Sequence, residues 1–273
     1  DLMAGLTASR IAAIRTSAVL VKNAFSEEEL SRIHAVYNRI RSEDMDIKPE
    51  EEFFQHPNMV GCRDSNHATA FLHAGRLLDT ELPDILLKVV RTMERASAGW
   101  GLLQPGGWGE DPDHAKKDAE EARPVEEETG AATHSCAASL EGGDEGVAAV
   151  EQGEPAALTE KKGSGSSGKP YNVRVCEYHQ YSVGGEVCDP RHCDGGSLVS
   201  MSVMLCDTSE FTGGTFTSLE EDGEEKEYDF QLGDAVVFPS EKWHSVQVVE
   251  SGTRRSMVTE LWAGPRNTLE RNF

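Results

Sequence analysis

The sequence lacks several features that mark particular classes of protein. Its 273 residues contain no N-x-[ST] glycosylation sequon and no C-x-x-C pair, and its six cysteines form no compact framework. A small disulfide-stapled scaffold is therefore not indicated. No apolar run approaches the roughly 20 residues that a bilayer requires, so we expect no membrane span. These absences favour a soluble protein in a reducing intracellular compartment, the cytoplasm or the nucleus.

Positive charge is also scarce. The formal net charge is −22 and the pI is about 4.7, which argues against a nucleic-acid partner because phosphate contacts need clustered lysine and arginine. The acidic surplus is uneven, with 15 Asp and Glu against 6 Lys and Arg in residues 101–170. The chain begins at Asp1 rather than at a methionine, so a removed signal peptide, and with it the endoplasmic reticulum lumen, stays an alternative.

The first 105 residues have the pattern of helical support for a sheet. Residues 17–21 read as a short strand. Ser26 and Glu29 then match a capping box that opens a helix with an apolar face. Pro83 predicts the first turn of a second helix, whose apolar residues recur at helical spacing. Neither helix carries residues of evident chemistry.

Between residues 106 and 170 the composition changes. Gly, Ala, Glu, Ser and Pro dominate, and the run GSGSSG at 163–168 has the composition of a flexible linker. The preceding helices are too few to form a core of their own, and the strands that follow need helices to cover one face. We therefore predict one α+β domain over residues 1–273, with a long flexible, disordered acidic insertion at 106–170.

After residue 170 the hydrophobic period becomes two, which indicates strands. Apolar and polar residues alternate cleanly through 198–206, and Gly-containing turns separate several later runs. Short strands at regular spacing predict a two-sheet sandwich or jelly roll over residues 171–262. The further predicted strands are 171–178, 215–219, 227–231, 234–238, 244–249 and 254–262.

Three short segments of this region carry residues of metal chemistry. His192 and Asp194 are two apart, so on an extended segment their side chains point to the same side. His244 follows a buried strand, and Arg254 follows His244 across a Ser-Gly turn. Two imidazoles and one carboxylate leave half of a metal's coordination open, as in non-haem Fe(II) oxygenases. We expect His244 and Arg254 on adjacent antiparallel strands that face one interior.

In its order of motifs the chain resembles the prolyl 4-hydroxylase-like branch of the Fe(II)/2-oxoglutarate dioxygenases. The resemblance covers about residues 171–262. It is specific for the superfamily and much less so for the substrate. The motifs that carry it are YSVGG at 181–185, HCD at 192–194, FTGGTF at 211–216, GDAVVFP at 233–239, His244 and GTR at 252–254.

The resemblance implies a double-stranded β-helix core that binds Fe(II) through His192, Asp194 and His244. It implies that Arg254, rather than its neighbour Arg255, holds the distal carboxylate of 2-oxoglutarate, and that Tyr181 lines the same pocket. Many relatives carry a tyrosine on the strand after the iron motif, where this chain has Met204. In its place we expect Ser200 or Ser202 to contribute to the carboxylate pocket.

The implied activity is hydroxylation of an aliphatic C–H bond with O2 and 2-oxoglutarate as co-substrates and ascorbate as an optional reductant. The first expectation for the target is a prolyl residue of a peptide or protein lying in an open groove, with residues 186–190 or 48–54 as a wall. A lysyl residue or a small metabolite is the second. The third interpretation is a non-catalytic jelly-roll interaction domain, against which the intact ligand set and Arg254 both count.

Overall fold

The computed structural model describes residue 3 and residues 5–48, 50–109, 169–189 and 191–269. Within these ranges the chain forms four α-helices and thirteen β-strands. The helices are α1 (Ala8–Arg15), α2 (Glu27–Ile47), α3 (Leu77–Glu81) and α4 (Pro83–Ala96). The strands are β1 (Val19–Val21), β2 (Met59–Val60), β3 (His67–Phe71), β4 (Leu103–Trp108), β5 (Lys169–Tyr181), β6 (Val199–Met204), β7 (Phe211–Gly213), β8 (Phe216–Leu219), β9 (Glu225–Tyr228), β10 (Ala235–Pro239), β11 (His244–Val246), β12 (Val249–Gly252) and β13 (Arg254–Trp262).

The two predicted helices form where the sequence places them. At the start of α2 the Ser26 hydroxyl accepts from the Glu29 amide at 3.3 Å, and Glu29 accepts from the Ser26 amide at 2.7 Å. Both halves of the capping box are therefore present. Pro83 is the first residue of α4, as predicted. The sequence reading missed α1, in which Ile14 is the one buried residue, so no apolar stripe marks that helix.

Among the described residues, eight strands form the larger sheet. Seven follow the order β1-β10-β6-β13-β5-β3-β2 with antiparallel pairing, and β4 pairs with β5 in parallel. A three-stranded sheet has the order β11-β8-β9, and β12 pairs with β7. The predicted strand 244–249 is thus two strands, because β11 and β12 pair with different neighbours.

The larger sheet is covered on both faces, and β6 shows how. Val199, Met201 and Val203 belong to the hydrophobic core that contains the apolar faces of α2 and α4. Met204 belongs to a second core, shared with Phe216 of β8 and other residues of the smaller sheet. Successive side chains of a strand point to opposite faces, so helices cover one side and the smaller sheets the other. The result is a mixed α and antiparallel β structure, as predicted, with an interior between two β layers.

The predicted insertion at 106–170 lies largely outside the described residues. Residues 106–108 belong to β4, and residues 169–170 begin β5. Residues 110–168 are not among those the structure describes. None of the described helices combines the length and the apolar composition needed to cross a membrane.

Candidate metal centre

The structure brings His192, Asp194 and His244 together. One ligand atom from each lies within 4.8 Å of the others. The Nε2 atoms of His192 and His244 are 3.5 and 3.8 Å from Oδ1 of Asp194. Asp194 and His244 are buried, whereas the His192 side chain keeps 37% of its surface exposed. Two imidazole nitrogens and a carboxylate therefore converge at the edge of the interior, in a geometry that a metal ion could bridge.

Backbone hydrogen bonds tie the two segments that carry these ligands. The His244 amide donates to the His192 carbonyl at 3.1 Å, and the Asp194 amide donates to the Ser240 carbonyl at 2.8 Å. The His192 amide closes a turn onto Asp189 at 3.0 Å. The spacing of the three ligands is thus fixed by main-chain contacts between segments some 50 residues apart in sequence.

His244 is held in the tautomer that a metal ligand requires. Its Nδ1 donates to the carbonyl of Lys242 at 3.0 Å, since a carbonyl can only accept. The neutral ring then leaves a lone pair on Nε2, the atom that faces Asp194. Burial lowers the pKa of His244, which also favours the neutral ring.

The surroundings of Asp194 favour its ionised form. Burial acts to raise its pKa, but the neighbouring His244 and His192 outweigh burial, and the pKa lies below its usual range. Among the described residues, no hydrogen-bond partner meets its buried Oδ2. A buried carboxylate oxygen without a donor is costly, and a bound cation would satisfy it. The donor set therefore fits a divalent metal with open coordination positions.

Lys242 anchors the turn before His244. Its side chain is fully buried, and Nζ donates to the carbonyls of Ile14, Thr16 and Leu219. Its counter-charge is Glu220, at 3.2 Å. The end of α1 is thereby attached to the turn that presents His244, which gives this unpredicted helix a structural role at the candidate site.

Arg254, the first residue of β13, is a buried cation. It is 1% exposed, and Nη1 donates to the Ser256 hydroxyl at 3.0 Å. Its Nε and Nη2 have no hydrogen-bond partner among the described residues. The guanidinium carbon lies 5.5 Å from the centre of the Tyr181 ring. Two adjacent unsatisfied donors on a planar cation match a carboxylate that binds through both oxygens.

Gly214, in the predicted FTGGTF motif, makes room for this arginine. A Cβ on Gly214 would come within 2.8 Å of Arg254 Cδ, and its φ of 62° is in the left-handed region that favours glycine. Arg255, the other arginine of the motif, is instead half-buried and pairs with Glu210 at 2.9 Å.

One expectation about this arrangement is wrong. His244 and Arg254 do not lie on adjacent strands. His244 begins β11, which pairs with β8 in the smaller sheet, while Arg254 begins β13, which pairs with β5 and β6 in the larger one. The two residues approach the interior from opposite layers.

The other predicted pocket residues lie at different distances from the site. Tyr181 lines the cavity that contains the metal ligands, and Ser202 does so as well. Ser200 is fully buried and shares a 2.8 Å hydrogen bond with the Ser240 hydroxyl. It is not among the described residues that line the cavity, whereas Ser256, beside Arg254, is. Ser200 thus contacts the segment that holds Asp194 and not the arginine.

Besides Ser256, four polar residues of the same cavity were not predicted. His67, Glu177, His179 and Glu260 all line it, together with apolar residues of both layers. Glu177 and His179 alternate with Tyr181 on β5, a period-two signal that continues past residue 178, where the predicted strand stops. Of the two predicted walls, 186–190 contributes Val187, while none of the described residues in 48–54 lines the cavity; His67 of β3 lines it.

Among known proteins, only solved structures match this chain. No protein-family model and no curated protein sequence matches the chain. A prolyl-4-hydroxylase of Pseudomonas putida is 12% identical, with 94% of this chain and 97% of that one covered and a TM-score of 0.46. A viral collagen prolyl hydroxylase from Paramecium Bursaria Chlorella virus-1, in complex with 2-oxoglutarate, is 11% identical over 91% and 96% of the two chains, at a TM-score of 0.41. HygX from Streptomyces hygroscopicus, with nickel and 2-oxoglutarate bound, is 9% identical. The match covers 94% of this chain and 87% of that one, at a TM-score of 0.44. With identities this low, the reaction of this chain has to be inferred from its own side chains.

Proposed function

We propose that this protein is an Fe(II)- and 2-oxoglutarate-dependent dioxygenase that hydroxylates an aliphatic C–H bond. The observation that carries this is the presence of two incomplete buried sites in one interior. His192, Asp194 and His244 form a metal-ligand set with an unsatisfied carboxylate oxygen. Arg254 offers two unsatisfied donors behind Tyr181 and Ser256, which line the same cavity. A metal chelated by a dicarboxylate would complete both sites at once.

The β layers support the same proposal. We interpret the larger sheet and the smaller sheets facing it as a double-stranded β-helix, or jelly roll, with its interior as the active site. The metal ligands come from the smaller sheet and the segments joined to it, and Arg254 comes from the larger sheet. Each half of the site therefore needs the packing of the two layers.

The residues of this chain bind, orient and shield the reactants. Bound iron and 2-oxoglutarate would supply the oxidation: 2-oxoglutarate would be converted to succinate and CO2, with one oxygen atom of O2 in succinate and the other in the hydroxyl group of the product. Arg254 would hold the distal carboxylate. His192, Asp194 and His244 would hold iron, with the Lys242 carbonyl keeping His244 in its ligating tautomer. Phe216 and Phe238, with ring centres 5.6 and 4.6 Å from that of His244, give this side of the site an apolar wall.

Two classes of target fit a small interior of this kind. The prolyl residue of a peptide or protein is the target that the motif resemblance implies. The alternative is a lysyl residue or a small metabolite. An amine-bearing target of this class is favoured because Glu177 and Glu260 line the same cavity as Asp194. A non-catalytic interaction domain is disfavoured. In such a domain no ligand would satisfy the buried polar atoms of Asp194 and Arg254, and burying them would cost stability.

The test is succinate release by protein loaded anaerobically with Fe(II), on addition of 2-oxoglutarate and O2. The double variant His192→Ala/Asp194→Ala is the control, since it removes two of three metal ligands and leaves Arg254 in place. We expect the unaltered protein to release succinate, whether or not the substrate to be hydroxylated is present. We expect the variant to release none. Mass spectrometry of the products on prolyl and lysyl peptides then identifies the target.

Binding distinguishes the remaining outcomes. If neither protein releases succinate but the unaltered one binds 2-oxoglutarate in the presence of Mn(II), the site is intact and needs its substrate for turnover. If 2-oxoglutarate binds neither protein, the oxygenase assignment is wrong and the interaction domain takes its place.

A further inference from the structure

A short segment, residues 195–198, connects the candidate ligand Asp194 to β6, and its first two residues are glycines. The Asp194 amide donates to the Ser240 carbonyl at 2.8 Å, and the Asp194 carbonyl accepts from the Ser197 amide at 3.2 Å. Glycine restricts the backbone less than any other residue. The direction of the Asp194 side chain therefore depends on how other parts of the protein hold this segment.

Arg174 of β5 holds the segment through its side chain. Its Nη1 donates to the Gly195 carbonyl at 2.6 Å and to the Ser197 hydroxyl at 3.1 Å. The Arg174 side chain keeps only 15% of its surface exposed, so these hydrogen bonds are largely shielded from water. One guanidinium group thus bridges the residue that follows Asp194 and the residue whose amide donates to the Asp194 carbonyl.

Glu260 of β13 links this contact to the cavity. Its Oε2 accepts from the Ser197 hydroxyl at 2.6 Å and lies 3.5 Å from Arg174 Nη1. Glu260 is 1% exposed and lines the cavity that contains the candidate metal ligands. A buried carboxylate is stable when a cation and hydrogen-bond donors meet it, and Arg174 and Ser197 supply both. The same ion pair therefore holds the segment after Asp194 and one wall of the cavity.

A β-bulge brings Arg174 to this face of the larger sheet. Cys176 and Tyr178 belong to the core that the helices cover, and regular alternation along β5 would place Arg174 in that core as well. The two residues that flank Arg174 instead pair with consecutive residues of β13, which leaves Arg174 without a partner in the ladder. A bulge re-aims the side chain that it contains. Here it directs the guanidinium towards Glu260.

Gly196 makes room for the guanidinium. A Cβ at this position would lie 3.1 Å from Arg174 Nη1, which is closer than most side-chain contacts allow. The φ of Gly196 is 89°, in the left-handed region that favours glycine. The second glycine after the HCD motif therefore serves the contact between Arg174 and the segment that carries Asp194.

We propose that Arg174 is a positioning residue of the metal centre: it fixes the backbone that carries Asp194, and thereby the direction in which the Asp194 carboxylate meets a metal. This rests on the proposed function, because it concerns the same metal site. Arg174 donates to the segment after Asp194 and to no candidate ligand side chain, so it acts through the main chain. A merely structural ion pair would stabilise the fold and leave the geometry of the bound metal unchanged.

Three variants separate these roles. Arg174→Met removes the charge and both hydrogen bonds, whereas Arg174→Lys keeps the charge and a donor. Arg63→Met is the matched control, since Arg63 also pairs with a buried carboxylate, that of Asp44, at 3.0 Å and donates to the Lys48 carbonyl at 2.6 Å. Arg63 and Asp44 are not among the described residues that line the cavity.

Metal binding is measured without turnover, with Mn(II) by electron paramagnetic resonance and with Co(II) by visible absorption. We expect the Mn(II) affinity of Arg174→Met to fall about ten- to hundredfold, as for other groups that orient a metal ligand. Arg63→Met should match the unaltered protein, and Arg174→Lys should recover part of the loss. The Co(II) absorption, which reports the arrangement of the ligands, should change in Arg174→Met and not in Arg63→Met.

Amide hydrogen exchange tests the same contact in the metal-free proteins. The amides of Asp194 and Ser197 should exchange at least about tenfold faster in Arg174→Met, because local opening of the segment costs less without the arginine. Both amides should exchange at the unaltered rate in Arg63→Met. Thermal unfolding shows that each variant is folded, and both methionine variants should lose stability.

Unchanged exchange of the Asp194 and Ser197 amides in Arg174→Met would overturn the proposal. Equal Mn(II) affinities in Arg174→Met and Arg63→Met would do so as well. Faster exchange with an unchanged Co(II) absorption would leave Arg174 with a structural role only. If the unaltered protein binds neither Mn(II) nor Co(II), the proposed function fails, while the exchange rates still show whether Arg174 fixes the backbone at Asp194.

Discussion

Nδ1 of His244 donates to the backbone carbonyl of Lys242, 3.0 Å away, and the ammonium group of the same lysine binds carbonyls at the end of α1. One residue therefore sets the tautomer of the candidate metal ligand His244 through its main chain and fixes the turn beneath it through its side chain. In this way the N-terminal helix is coupled to the candidate metal centre without contributing a ligand.

Lys242→Met tests this coupling. Methionine fills a similar volume but leaves the carbonyls of Ile14 and Thr16 and the carboxylate of Glu220 without their cation. We expect the free energy of unfolding to fall by about 3–5 kcal/mol, as for other broken buried pairs, and metal affinity to fall with it. Denaturant titration and metal titration measure the two effects. Lys48→Met is the control, since Lys48 is exposed and its ion pair with Glu51 spans 3.8 Å; equal effects from both variants would refute the coupling.

Arg254→Met should separate stability from binding. The arginine is buried with two unsatisfied donors, so its removal should raise the free energy of unfolding of the ligand-free protein by about 1–3 kcal/mol. Affinity for 2-oxoglutarate should fall at least about hundredfold, because the distal carboxylate loses its cation. Thermal unfolding and calorimetric titration give the two values.

Arg255→Met is the matched control for that variant. Arg255 pairs with Glu210 near the surface, and an exposed ion pair contributes only about 0–1 kcal/mol. We expect 2-oxoglutarate binding to be retained. A loss of binding in Arg255→Met and not in Arg254→Met would move the carboxylate anchor to the neighbouring residue.

Gly214→Ala should weaken 2-oxoglutarate binding without touching a charged group. The added Cβ would meet Arg254 Cδ at 2.8 Å and displace the guanidinium. Gly223→Ala is the control for backbone strain, since its φ of 86° is also in the left-handed region but its Cβ would come no closer than 3.6 Å to Arg15. Both variants should lose stability, and a loss of 2-oxoglutarate affinity should appear in Gly214→Ala alone. Equal affinities would show that Arg254 tolerates the displacement.

The partly buried His67 should make stability depend on pH between 6.5 and about 4. The unfolded chain takes up this proton below pH 6.5, the ordinary pKa of histidine, whereas the folded protein takes it up only below about 4. The unfolded state therefore binds more protons in this window, and the free energy of unfolding falls as pH drops, by up to roughly 3 kcal/mol from this group. Urea unfolding at pH 7, 5.5 and 4 should show a smaller decline in His67→Gln. Parallel declines in the two proteins would mean that His67 is not the group responsible.

Local pattern was sufficient for much of the fold and for proposing the candidate metal ligands. The capping box at Ser26, the proline that begins α4 and the alternation through β6 are interactions among near neighbours in sequence, so propensity and periodicity determine them. The three candidate metal ligands, which the structure brings together, could be proposed because each stands in a short motif whose order along the chain is informative.

Contacts between distant segments decided what the sequence alone did not. Helix α1 has no apolar stripe, and its carbonyls meet Lys242 more than 200 residues away. The cavity-facing Glu177 became apparent only when β5 was placed between β3 and β13. The amino-acid sequence by itself determined which residues could ligate a metal and bind a carboxylate. The tertiary structure decided that His244 and Arg254 approach from opposite layers, and that Glu177 lines the same cavity as the candidate metal ligands. Strand pairing and layer packing depend on partners that no local window of sequence contains.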